Sequence, residues 1–151
     1  MGKIKFFFIS VFLVCLFQSV LLSQDINVQK YIGKTKKEVI KKYGKPVHID
    51  NSNSAMICLF YKTKTKRLVF VYDKKGVYQA EAYASYNRKI KARRVITAFI
   101  SRSVKDGFKI DTVSTNNFQI HKKGITADLK LIKNKITKKY EISVKARKYE
   151  E

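Results

Sequence analysis

A chain of 151 residues carrying 33 Lys and Arg against 11 Asp and Glu has a formal net charge of +22. Its 45% hydrophobic content excludes a disordered polyelectrolyte, its two cysteines exclude a disulfide-stapled scaffold, and its single proline excludes a proline-rich joint. The length suits one domain with a modest core.

Residues 1–23 read as a leader rather than as structure. Lys3 and Lys5 form a basic start, Phe6–Phe17 is an apolar run broken only by Ser10, and Ser23 is a small residue suited to the position before a cut. The run is interrupted by Gln18 and Ser19 and gives way to polar sequence, so no membrane span is expected in the chain that follows. Cys15 lies inside the apolar run behind Val14, which does not fit a lipid-modified cysteine at a cleavage site. Removal of the leader leaves Cys58 as the one thiol, and no internal disulfide.

Ile32–Pro46, IGKTKKEVIKKYGKP, carries the clearest local signature. Thr35 and Glu38 are spaced as a capping box, each side chain reaching the other's backbone N–H. Val39, Ile40 and Tyr43 form a short apolar stripe among Lys36, Lys37, Lys41 and Lys42. Gly44 and Pro46 end the helix after about two turns. A helix this short must pack on something else.

Strand-length apolar runs follow the expected loop Val47–Ser54: Ala55–Tyr61, Leu68–Tyr72 and Val77–Tyr86. With Lys64-Thr65 at one hairpin tip, Tyr61 stands opposite Leu68. With Gly76 as a left-handed bulge residue, Asp73 stands opposite Val77. One face then collects Ile57, Leu59, Tyr61, Leu68, Phe70, Tyr72, Tyr78, Ala80 and Ala82. The other collects Met56, Cys58, Phe60, Val69, Val71, Gln79, Glu81 and Tyr83, an apolar set for an outer face.

Here the pattern Gly33-x-Thr35-x-x-Glu38-Val39, then Tyr43-Gly44-x-Pro46 and strands, resembles the SmpA/OmlA small outer-membrane assembly lipoproteins. It is also similar to the wider group with the β-lactamase-inhibitor-protein-like fold. The resemblance spans roughly residues 32–86 and implies an envelope-assembly role. The absence of a cysteine at the expected cut departs from the lipoprotein pattern.

Asn87–Asp106 reads as a longer helix with Ala92, Val95, Ile96, Phe99 and Ser103 inward and Ile100 at the margin. Arg88, Lys91, Arg94, Arg102 and Lys105 fall on its opposite side. Four further strands are expected over Phe108–Ser114, Asn117–His121, Ile125–Ile132 and Ile136–Arg147, the last two joined at Asn134-Lys135. Ile125, Ala127, Leu129 and Leu131 then share a face with Tyr140, Ile142, Val144 and Ala146. Thr126, Asp128, Lys130, Lys139, Glu141 and Ser143 point outward. The glycines at 33, 44, 76, 107 and 124 fall where elements end.

The fold class expected is α+β: a single domain over 24–151, a largely antiparallel sheet with both helices on one face, in the order α-βββ-α-ββββ. Helix, glycine and strands recur in two halves, 32–86 and 87–147, without a convincing side-chain repeat.

Catalytic chemistry finds little support. A metal site would draw on His48, Asp50, Cys58 and His121, with no pair at ligand spacing. Cys58 sits between Ile57 and Leu59 in a strand, the setting of an unreactive thiol. Nucleophile elbows, phosphate-cradling glycine loops and cofactor signatures are absent from the sequence. So are the readers of nucleic acid, and export would remove access to it. The expectation is an exported, periplasmic or secreted, non-enzymatic binding or envelope-assembly module. Met56, Phe60, Val69, Val71, Gln79 and Tyr83 would meet a protein partner of the envelope, unless the 47–54 loop or the N-terminal tail covers them. The alternative is electrostatic attachment to anionic lipid, lipopolysaccharide or acidic polysaccharide through Arg88, Lys91, Arg94, Arg102 and Lys105, joined by Lys130 and Lys139. The lysine-rich, evenly spread charge favours a solvated surface over a phosphate reader.

Overall fold

Thr35 and Glu38 close the capping box that their spacing predicts. Thr35 Oγ1 accepts from the Glu38 N–H at 3.3 Å, and the Thr35 N–H donates to Glu38 Oε2 at 2.8 Å. Helix α1 runs Lys36–Tyr43, and Gly44 ends it in a left-handed conformation. The computed structural model describes residues 25–149, so the leader expected over 1–23 lies outside the described residues. The elements after α1 are β1 (His48–Asn53), β2 (Met56–Lys62), β3 (Lys66–Asp73), β4 (Gly76–Tyr86), α2 (Lys89–Lys105), β5 (Lys109–Ser114), β6 (Asn117–Lys122), β7 (Ile125–Lys133) and β8 (Tyr140–Lys148).

All eight strands join one antiparallel sheet in the order β1-β2-β3-β4-β8-β7-β6-β5. The order reads as two four-strand meanders joined at β4 and β8, each meander preceded by its helix. Corresponding edges carry corresponding residues: Ile49-Asp50 on β1 and Ile110-Asp111 on β5. Both helices cover one face. Val39 of α1 and Ala92, Ile96 and Phe99 of α2 share a core with Leu59, Phe70, Ala80, Ile120, Leu129, Ile142 and Val144.

The α+β class, the two helices and the expected strands are present, with an eighth strand added. The stretch expected as a loop, Val47–Ser54, contains β1, because Ile49 and Asp50 pair with Leu59 and Cys58 at the sheet edge. Polar composition is tolerated there since only one side of an edge strand is paired. In the first hairpin Tyr61 pairs with Leu68, as the Lys64-Thr65 tip requires. In the second, Asp73 pairs with Gly76 and Tyr72 with Val77, and the register shifts at Val71/Tyr72. The bulge turns Val77 inward (1% exposed) in place of Tyr78, which remains half-buried. The last hairpin is longer than expected. Asn134 Oδ1 accepts from the N–H groups of Ile136 and Thr137, which holds residues 134–139 in a loop. The register therefore moves to Leu131 opposite Ile142, an even shift that leaves every side chain on its expected face.

The unexpected element is Asp25–Ile32. Its side chains from Asp25 to Gln29 are buried, and Val28–Tyr31 forms a 3-10 turn laid on β4, β7 and β8. Ile26 and Val28 give apolar contact. Asn27 and Gln29 are polar and fully enclosed, and both look to α2: Gln29 Nε2 donates to Ser103 Oγ at 2.8 Å, and Asn27 Nδ2 donates to the Phe99 carbonyl at 3.2 Å. Ser103 in turn donates to the Phe99 carbonyl at 2.9 Å. Beyond the turn, Ile32 enters the core and the backbone of Gly33 and Lys34 bonds to the sheet. Gly33 N–H donates to the Val77 carbonyl at 2.7 Å, and Val77 N–H donates to the Lys34 carbonyl at 2.9 Å.

Thr35→Ala should cost about 1 kcal/mol in denaturant melts. The Thr35 backbone N–H, then its hydroxyl, holds the Glu38 carboxyl below the usual range. That contribution is present above the ordinary carboxyl value and is lost as pH falls through the lowered one, so the variant should show a flatter acid limb. Ser103→Ala should cost roughly 1–3 kcal/mol, because it strands the buried Gln29 amide. A change near zero would mean that Gln29 re-pairs.

Candidate binding surfaces

The pleat places the expected partner-binding residues on the face opposite the helices. Phe60 pairs with Val69, and Val69 with Glu81; Val71 stands between Cys58 and Gln79. Among the described residues no helix covers this face. The 47–54 stretch lies in the sheet plane as β1, and Asp25–Ile32 lies on the helix side, so neither described segment covers the patch. Met56 is 48% exposed, Gln79 is exposed, and Phe60, Val69 and Tyr83 are half-buried. Val71 is only 8% exposed, enclosed by its neighbours in the sheet, and does not behave as a wet surface position. Tyr83 is engaged: the Arg67 guanidinium lies 5.3 Å from its ring, and its hydroxyl donates to Glu81 Oε2 at 3.4 Å. The patch is confined to β2–β4. Across β8 and β7 the same face turns polar, with Lys145, Arg147 and Asp128.

The basic residues of α2 divide. Lys91, Arg94 and Arg102 follow one flank of the helix together with Val95 and Ala98, and this flank borders a cleft of about 450 Å³. Ile26 and Asn27 of the buried segment, Phe99, and Tyr86 at the end of β4 complete its lining. Arg88 precedes the helix as its N-cap residue and Lys105 closes it at the far end; neither lines the cleft. Lys130 and Lys139 belong to the other half of the molecule, on β7 and in the loop before β8.

Charge near the cleft is lopsided. The Asp25 carboxylate, 7% exposed, has Lys42 Nζ, Lys30 Nζ and Arg102 Nη1 at 3.7, 3.8 and 3.9 Å. Lys66, 8% exposed, occupies an inward position on β3, where its ammonium has no hydrogen-bond partner among the described residues. Burial pushes Lys66 down to about 8, against an opposing pull from Asp25. The hydroxyls of Tyr43 and Tyr86 are likewise enclosed and unpaired among the described residues. Burial, then Asp25, raises Tyr31 to about 12 and raises Tyr43 further. Lys66 was hidden in the sequence by the polar run Lys62–Arg67. Its two-residue spacing from Leu68 and Phe70 was the available signal.

The candidate metal ligands do not assemble, and no group of three His, Cys, Asp or Glu able to hold a metal occurs among the described residues. Asp50 accepts from the N–H and hydroxyl of Ser52, and His121 Nε2 lies 3.1 Å from Asp111 instead. Burial pushes the Cys58 thiol up, away from nucleophile chemistry. No helix among the described residues is long and apolar enough to cross a membrane.

Lys66→Met should stabilise the protein at pH 7 by roughly 1–3 kcal/mol, since it removes an unpaired buried ammonium. The unfolded lysine titrates near 10.4, so between about 8 and 10 the unfolded state of the parent binds more protons and parental stability rises with pH. The advantage of the variant should shrink over that window. Equal stability of the two proteins at pH 7 would show that the ammonium is solvated.

No family model and no curated protein sequence matches the chain. Among solved structures, it is similar to an extracellular protein containing an SCP domain from Bacillus anthracis str. Ames, at 14% identity and a TM-score of 0.45, over 83% of this chain and 46% of that one. It is similar in the same degree to a cysteine-rich secretory protein from Staphylococcus aureus subsp. aureus Mu50, at 11% identity and a TM-score of 0.45, over 79% of this chain and 45% of that one. The chain spans less than half the length of either protein.

Proposed function

We propose that this chain is an exported, non-catalytic binding module of the envelope-assembly kind, which docks a protein partner on the uncovered face of β2–β4. The observation that carries this reading is the row of Met56, Phe60 and Val69, all at least partly exposed on the side of the sheet away from the core. Apolar side chains gathered on one part of a sheet face favour burial against another surface, and their polar surroundings on β7 and β8 would form the rim of such a contact. The leader-like residues 1–23 support the compartment, and the resemblance of the motif over residues 32–46 to SmpA/OmlA proteins supports the role.

A second reading, electrostatic attachment to an anionic envelope surface, is favoured by one observation: Lys91, Arg94 and Arg102 converge on one cleft. The two separate by salt. A face-on apolar contact persists at 0.5 M salt, where the Debye length falls to roughly 4 Å, and an electrostatic one does not.

A photo-reactive residue introduced at Val69 should cross-link to a defined envelope protein in intact cells, and one at Lys37 on the exposed side of α1 should not. Met56→Lys, at an exposed position, should leave the melt within about 0.5 kcal/mol of the parent. It should also suppress the Val69 cross-link by placing an unpaired charge in the contact. Equal cross-linking from both positions would overturn the assignment of the face.

A further inference from the structure

We propose that the cleft beside α2 is a binding site for a small amphiphilic monoanion, an acyl carboxylate or alkyl phosphate, with its head group held by Lys91, Arg94, Arg102 and the Tyr86 hydroxyl. Val95 and Phe99 supply the surface for its apolar body. The proposal deepens the electrostatic reading by confining it to one cleft, and it stands independently of the sheet face.

Three observations carry it. The cleft has the right composition: basic groups on one flank of α2 and apolar side chains between them. Such a lining suits a molecule that is itself charged at one end and apolar at the other. The local charge is uncompensated: Asp25 faces Lys30, Lys42 and Arg102, while Lys91 and Arg94 have no acidic partner among the described residues. Finally, one enclosed donor has no partner. Tyr86 lines the cleft with its hydroxyl buried and unpaired among the described residues. A buried hydroxyl without a partner is costly, and an anionic head group is an acceptor that would relieve it.

The ligand is bound, not transformed. A polyanion reader would need phosphate contacts repeated along a track, whereas this site is a single cleft of about 450 Å³. Arg94 and Arg102 offer planar forks that match a single carboxylate or phosphate.

Calorimetric titration of the full chain with laurate below its micelle concentration, with acetate as the tail-free control, tests the site. Laurate should bind at least tenfold more tightly than acetate. Lys91→Glu with Arg94→Glu should lower laurate affinity at least tenfold with an unchanged melting temperature, both side chains being exposed. Tyr86→Phe, which removes only a hydroxyl, should weaken binding severalfold. Phosphatidylglycerol vesicles that compete with laurate would identify membrane lipid as the source of the anion; laurate binding unaffected by vesicles would identify a free acyl anion. Laurate binding no tighter than acetate, or unchanged in the double variant, would overturn the proposal. Neither result would alter the cross-linking expected at Val69, so failure of the cleft and failure of the sheet face are told apart.

Discussion

The fold depends on a short segment that no periodicity announces. Asp25–Ile32 fills the layer between the sheet and α2, and it does so with enclosed polar side chains. An apolar wedge would bury more surface, but Asn27 and Gln29 gain what an apolar wedge lacks: directed bonds to Ser103 and the Phe99 carbonyl. Those bonds fix how far the wedge slides along α2. Gly33 and Lys34 then fix it to the sheet through Val77. The fit is tight at that joint. A Cβ on Gly76 would sit 2.9 Å from the carbonyl oxygens of both Gly33 and Lys34, and its φ of 118° is one that side-chain-bearing residues rarely adopt.

From that joint the rest can be ordered. Gly33 and Lys34 lead straight into the Thr35 cap, so the wedge sets where α1 begins, and α1 delivers Tyr43 into a cluster with Tyr31, Tyr61 and Phe70 at centroid distances of 5.2–5.9 Å. Tilted and edge-on ring pairs of this kind add directional packing to simple burial. The Tyr61 hydroxyl donates to the Gly44 carbonyl at 3.1 Å, tying the helix end to β2. The cleft beside α2 is a by-product of the same arrangement, since Ile26 and Asn27 form part of its wall.

Legibility in the sequence followed local physics. The capping box, the Lys64-Thr65 tip and the inward set of α2 could be read because each is fixed by spacing within a few residues. The bulge that exchanges Tyr78 for Val77 could not, because it answers to Gly33 and Lys34, more than forty positions away in the chain. Edge strand β1 looked like a loop because an edge needs little apolar content. The sheet-face residues were found through register, which two short hairpins specify well. The cleft was only half found: the lysine and arginines of α2 were visible, but the helix flank on which three of them meet depends on the wedge. Tyr86 was missed because it ends β4, where the sheet register says little about what lies beside it, and Lys66, outside the cleft, was missed because an inward lysine breaks the usual rule that charge faces water.

Both outer strands of the sheet end their pairing irregularly. Register shifts interrupt β1 between Asp50 and Asn53 and β5 between Thr112 and Ser114. On β1 the Ser52 N–H is already taken by the Asp50 carboxylate at 3.0 Å. A flat row of free amides would invite another chain to extend the sheet sideways, and an eight-stranded sheet with two such borders could polymerise. Interrupted borders close that route. Lengthening the sheet into a ribbon is thereby disfavoured, and the pleated surface and the helical layer remain as the broad faces open to contact.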